Sequence, residues 1–267
     1  SLVINSGSIG VNVDGGTVSS DADLVINSGR NGVNNNGGTV NLAGVSIDAA
    51  SAADIAGINN TGSGSTTISG DQALIRASTS VDGTDAAAIA NSGGSVSIKT
   101  SGDVLLAAKS NASSRNASSL ISNTGGTVSI DAGGQVTFDV TAQSARGLYN
   151  TASFGTGITV TAAKGFSYAV TATSGDAYGI EANGAALNYG KVNSVTVNAT
   201  GGDAYGLAAL SRGTLSGDGA NSISNLSVTE NTAGKTAYGA YAASGGSVKF
   251  TGARNLNESG GEAGGGG

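Results

Sequence analysis

One short phrase returns nine times along this chain, and no other feature limits its possible folds as strongly. A small residue precedes an aliphatic one, a run of Asn, Ser, Thr and Gly follows, and an alternating strand comes next. Gly10-Val11 leads in this way to Gly15-Gly16-Thr17-Val18, and Ala88-Ile89 to Gly93-Gly94-Ser95-Val96. The aliphatic anchors are Val11, Val33, Ile58, Ile89, Ile121, Leu148, Ile180, Leu207 and Ala240, spaced by 22, 25, 31, 32, 27, 32, 27 and 33 residues. Such a period marks a stacked solenoid, because each repeat is a unit that cannot bury its apolar face alone.

The repeats read as strands. Thr-Val-Ser-Ile, Ser-Val-Ser-Ile-Lys and Val-Thr-Val-Asn-Ala alternate with period two and are rich in β-branched residues, and no long window shows helical periodicity. Further apolar runs, such as Val45-Ser46-Ile47 and Val136-Thr137-Phe138-Asp139-Val140, give each repeat about three short strands. With 46 Gly and only 4% aromatic residues, the core is expected to be thin and made of small side chains. The expected fold is all-β: one right-handed parallel β-helix (solenoid) of about nine coils over residues 1–254, roughly 40 Å long at ~4.8 Å per coil. Residues 255–267 read as a Gly-rich, disordered tail or a truncated end. A globular sandwich would not need a phrase that returns with fixed internal spacing.

Absent residues narrow the chemistry. The chain has no Cys, His, Pro or Met, so thiolate and imidazole metal sites and Ser-His or Cys-His nucleophiles are excluded within it. Lack of Pro suits a ladder in which nearly every backbone N–H donates along the axis. A net charge of -6 with 12 scattered Lys and Arg offers no basic stripe for nucleic acid. No run reaches the length of a membrane span. The start at Ser1 without Met suggests a processed product or an internal segment, with any signal peptide upstream. The strand at Leu2-Val3-Ile4 begins uncapped, which suggests either preceding chain or an end that joins another subunit.

The stretch Ala86-Ala87-Ala88-Ile89-Ala90-Asn91-Ser92-Gly93-Gly94-Ser95-Val96-Ser97-Ile98 resembles the repeats of bacterial autotransporter passengers and related large adhesins, and repeats of this style cover about Leu2 to Phe250. The resemblance implies a secreted right-handed β-helix, poor in Cys and displayed at the outer membrane by a C-terminal β-barrel. No amphipathic barrel strands are visible in this chain, so the anchoring device is left open.

Five features are candidates for function. Tyr178, Tyr205 and Tyr238 each stand two residues before an anchor. They predict an aromatic ladder that either contacts sugars or a partner protein or shields one face of the coil. Strict alternation would turn them inward, but the intervening Gly could act as a corner that resets the parity. Asn12, Asn34, Asn59, Asn91, Asn123, Asn150 and Asn183 follow the anchors and predict an amide ladder with a turn-forming role. Asp71, Asp82, Asp85, Asp103, Asp131, Asp139, Asp176 and Asp203 are the carboxylates a polysaccharide-active enzyme would need, but no paired arrangement is evident. Ser216 to Asn221 has donors of a calcium loop without the full set and reads as a turn insertion. Excursions at 184–193 and 212–224 read as protruding loops suited to recognition.

The sequence therefore predicts no catalytic residue, cofactor or metal. It favours a secreted or cell-surface, outer-membrane-associated rod with a structural or adhesive role. The partners expected are a host or neighbouring-cell surface protein or glycan, or copies of itself. A protomer of an extracellular fibre built by head-to-tail coil stacking is the alternative, and a polysaccharide-active enzyme the third reading.

Overall fold

A computed structural model of the chain describes residues 1–81, 84–110, 118–152, 157–217, 223–249, 255–259 and 262–263. Among these residues every regular element is a strand and every pairing is parallel. The first face of the solenoid is a ten-stranded parallel sheet. Its strands define coils 1 to 10 in chain order: Leu2–Ser6, Leu24–Ser28, Val45–Ser51, Ala73–Thr79, Val104–Ser110, Val136–Ala142, Phe166–Ala172, Val192–Ala199, Ile223–Glu230 and Asn255–Ser259. The ladder is one strand longer than the nine anchors imply. The expected boundary at residue 254 moves accordingly, because Asn255–Ser259 pairs in register with coil 9.

The second and third faces carry the remaining strands of each coil. In coils 4 and 5 they fuse, since Ala86–Thr100 and Ser118–Ala132 run through the corner as single 15-residue strands. All nine anchors stand in one column on the second face, each paired with the next from Val11↔Val33 to Leu207↔Ala240. The pairing skips the residue in front of the anchor, and in coils 4 and 5 that residue is buried beside it, as in Ala88-Ile89 and Leu120-Ile121. Two consecutive inward residues break the alternation and reset the parity of everything upstream.

The core is a set of such columns. Ile26, Ile47, Ile75, Leu106, Phe138, Tyr168, Val195 and Leu226 lie one above another on the first face, all 3% exposed or less. Burying an aliphatic side chain of this size contributes about 1.5–3 kcal/mol, and each layer rests only on its neighbours. The interior is not made of small residues throughout. Phe138, Phe166 and Tyr168 cluster in coils 6 and 7 with ring centroids 5.6–6.3 Å apart, and Tyr189 is fully buried in the same region.

At the corner between the second and third faces the Gly-Gly pairs have a defined task. Gly94 and Gly126 have φ of 68° and 77°, in the region that favours glycine. A Cβ on Gly126 would sit 2.0 Å from the carbonyl oxygen of Gly94. Coil spacing and backbone conformation both demand glycine there.

Candidate functional site

The second face carries two outward columns beside the buried anchors, one two residues before the anchor and one immediately after it. In the upper coils tyrosines fill the first, while the second holds Tyr149, the buried Glu181 and Ala208, and Tyr241. Tyr178, Tyr205 and Tyr238 stand in register, half-exposed, with centroids 4.6 and 5.1 Å apart and planes within 9° of parallel. The ladder read from the sequence is present and points outward, because the skipped residue before each anchor resets the alternation. Tyr241, from the second column, tilts against Tyr205 and Tyr238 at 5.3 and 5.1 Å.

Arg146 occupies the ladder position in coil 6 and pairs with Tyr178. Its guanidinium lies 4.6 Å from the Tyr149 ring centre and 5.4 Å from that of Tyr178, within the range of cation–π attraction. Its Nε donates to Glu181 Oε2 at 2.7 Å. Glu181 belongs to the second outward column, yet it is buried under the rings. The site therefore adds Arg146, Tyr149, Glu181 and Tyr241 to the three tyrosines the sequence singled out. Arg146 was legible as the residue below them in the same column; Glu181, 35 residues away from its partner, carried no local signal.

This geometry limits what the ladder can do. Both ring faces of Tyr205 are covered by Tyr178 and Tyr238, so only ring edges and hydroxyls meet solvent. Stacked aromatic pairs contribute about 0.5–1.5 kcal/mol beyond their burial, and that stabilisation is directed along the axis. Burial pushes the Tyr178 hydroxyl up to about 12, with the Asp176 and Glu181 charges acting in the same direction. Tyr205 is raised as well, first by burial and then by Tyr178 and Asp203, the latter an acceptor at 3.4 Å from its hydroxyl.

In coils 3 to 5 the same two columns hold Ala56, Ala87 and Ser119, and Asn59, Ala90 and Ser122. These small residues leave an open trough of about 350 Å³. Arg30 and Asn31 lie at one end, and Asp54 and Asp85 along its rim. Asp54 Oδ1 accepts the backbone N–H of Asp85 at 2.9 Å, and Asn31 Oδ1 accepts that of Ala56 at 3.0 Å.

The asparagines form two ladders, and the single row expected from the sequence mixes them. Asn12, Asn34 and Asn59 face outward, with Asn34 Nδ2 donating to Asn12 Oδ1 and Asn59 Nδ2 to Asn34 Oδ1, both at 2.7 Å. Asn35, Asn60, Asn91, Asn123 and Asn150 face inward, are 1% exposed or less, and donate in the opposite direction at 2.7–3.0 Å. The inward amides also bond the Gly-Gly corner, as Asn35 does with the N–H and C=O of Gly38. Asn183 pairs with Leu210 and belongs to neither ladder.

The carboxylates brace turns. Asp176 Oδ1 accepts from Asp203 N, Asp203 Oδ1 from Thr236 N, and Asp103 Oδ1 from Gln135 N, at 2.8–2.9 Å. Asp71 Oδ1 accepts from the Ser101 hydroxyl at 3.0 Å. Asp131 pairs in register with Lys99. Asp139 shares a shallow depression on the first face with Asp48, Arg76 and Lys109. Asp82, and residues 218–221 of the calcium-like stretch, lie outside the described residues. Among the described residues no three acidic side chains converge as a metal site would require, and no helix is long and apolar enough to cross a membrane.

The excursion at 184–193 does not protrude. It contains the third-face strand Ala186–Asn188 and turns Leu187 and Tyr189 into the core. Of the excursion at 212–224, Thr214–Ser216 is a third-face strand, and residues 218–222 lie outside the described residues.

The fold defines the chain as a parallel β-solenoid whose second face carries a tyrosine column in its upper coils and an open trough of small residues over coils 3 to 5. No family model, curated protein or solved structure matches it, so the functional reading rests on this geometry.

Proposed function

We propose that the chain is a non-catalytic structural and adhesive rod of a bacterial surface protein, exposed outside the cell, which acts by stiffness, reach and the display of weak contacts. The observation that carries this reading is the unbroken register of the anchor column from Val11 to Ala240. Backbone hydrogen bonds, stacked amides and stacked rings all run along one axis, which resists bending and extension. Four of the eight candidate carboxylates, Asp71, Asp103, Asp176 and Asp203, accept hydrogen bonds that brace neighbouring turns, which supports a passive role. Display of the chain on a non-adherent bacterium tests the proposal. Attachment to host or neighbouring cells above the level of the undisplayed strain is expected, and attachment equal to that strain refutes it.

One observation favours a fibre protomer as the second reading. Coil 1 leaves Leu2 and Val3 exposed, and Leu2-Val3-Ile4-Asn5-Ser6-Gly7 is identical to Leu24-Val25-Ile26-Asn27-Ser28-Gly29, whose strand already pairs with it. A strand of this sequence therefore pairs with a copy of itself, the contact that stacking one subunit on the next would repeat. Electron microscopy of the purified chain separates the readings: filaments support the fibre, and single short rods oppose it.

A further inference from the structure

We infer that the trough on the second face over coils 3 to 5 is a binding groove for an uncharged oligosaccharide. The inference deepens the adhesive reading and rests on it, and it moves the contact site away from the tyrosine ladder.

The chain itself demonstrates what these columns hold. In coils 7 to 9 the column before the anchors is filled by flat six-membered rings set one above another at 4.6 and 5.1 Å. In coils 3 to 5 Ala56, Ala87 and Ser119 stand where the rings would be, and space of about 350 Å³ opens in their place. That volume lies at the lower end of the roughly 300–1,000 Å³ of small-molecule sites. The trough extends over about three coil steps, or ~14 Å, which suits a short chain of pyranose rings, whose C–H faces would lie on the alanine methyl groups.

The polar groups point to a hydroxylated and uncharged occupant. The outward amide ladder stops at the trough: Asn59 Nδ2 donates to Asn34 Oδ1 at 2.7 Å, and the next position up the column is Ala90. Asn59 Oδ1 thus has no donor among the described residues and faces the open side, ready to accept from a ligand hydroxyl. Asp54 and Asp85 along the rim outnumber Arg30 at the end and so disfavour anionic sugars, and the net charge of -6 acts in the same sense. An extended peptide is disfavoured. Strand addition needs unpaired backbone groups at a sheet edge, whereas the backbone beneath the trough pairs along the axis.

The test uses the purified chain, fluorescently labelled, on a glycan array of uncharged, sialylated, uronic-acid and sulfated oligosaccharides with control peptides. Retention on uncharged glycans of trisaccharide length or more is expected. Ala87→Tyr and Ser119→Tyr place a ring where the upper coils already carry one, so each should keep the melting temperature and lose at least about tenfold in affinity, the worth of roughly 1.4 kcal/mol. Asn59→Ala, which adds no bulk, should weaken binding about fivefold through loss of one hydrogen bond. It decides the question should the filled variants fail to fold. Ala169→Tyr on the first face should bind as the unaltered chain does. Retention only on acidic glycans or peptides, no retention on uncharged glycans, or equal retention by Asn59→Ala and the folded filled variants would overturn the assignment. Cell attachment separates the two levels: attachment that survives Ala87→Tyr removes the trough and spares the adhesive rod, whereas no attachment by the unaltered chain removes both.

Discussion

Arg146 and Glu181 meet across two coils, the guanidinium Nε 2.7 Å from Oε2, with the arginine side chain 26% exposed and the glutamate 2%. The pair seals the lower end of the tyrosine stack, and its two members depend on it unequally. Arg146→Ala leaves a buried carboxylate without its cation, which should cost about 3 kcal/mol. Removing both charges in Arg146→Ala/Glu181→Ala should recover most of that loss. Urea denaturation of the two variants checks this, and equal destabilisation would mean that the arginine acts by packing alone.

The two amide ladders should differ in energetic weight. Asn91 donates to Asn123 Oδ1 and the carbonyl of Gly125 at 2.8 Å while accepting from Asn60, all in the interior. Asn91→Ala strands buried donors and acceptors on both sides, and about 2–4 kcal/mol should be lost. Asn34 makes a similar pair of bonds in a half-exposed setting, where water replaces them, so Asn34→Ala should cost less than about 1 kcal/mol. Midpoints of chemical denaturation measured side by side decide between the two.

Tyr168 carries a hydroxyl that is buried and has no hydrogen-bond partner among the described residues. Its aromatic ring packs against Phe138 and Phe166, so the ring is wanted and the oxygen is not. Tyr168→Phe should stabilise the fold by about 1 kcal/mol. Calorimetry showing a lower melting temperature would reveal a partner for the hydroxyl.

Alkaline pH should loosen the upper coils. Tyr178 has its hydroxyl raised from the ordinary value of 10.0 to about 12 in the folded chain. Between those values the folded state binds more protons than the unfolded one, so stability falls as pH rises. The contribution is whole below about pH 10 and is lost as pH climbs through about 12. Tyr178→Phe should flatten this slope in melting temperature against pH, and an unchanged slope would place the titrating group elsewhere.

The anchors were readable because four of them, Val11, Val33, Ile89 and Ile121, stand at one fixed distance from a Gly-Gly corner, a distance set by the width of one coil face, and the looser copies follow from these. The tyrosine column was readable by the same index. The asparagines were not, because Asn34 and Asn35 differ by one residue in their distance from Val33, and in a strand one residue exchanges inside for outside. Asn35 and Asn60, the two lowest of the buried ladder's five rungs, were passed over for that reason. The trough had no signature of its own: it is made by Ala and Ser standing where other coils carry rings, and small residues attract attention only once the columns are aligned.

Leu2 to Gly7 and Leu24 to Gly29 are the same six residues one winding apart, and every column in the molecule takes one residue from each winding. Gain or loss of a complete winding therefore keeps all remaining neighbours matched, while a shift of a single residue scrambles them. Near-identical stretches invite unequal recombination between them. How far such an object projects can then be inherited as an adjustable trait, altered in increments of ~4.8 Å with no new interior to invent.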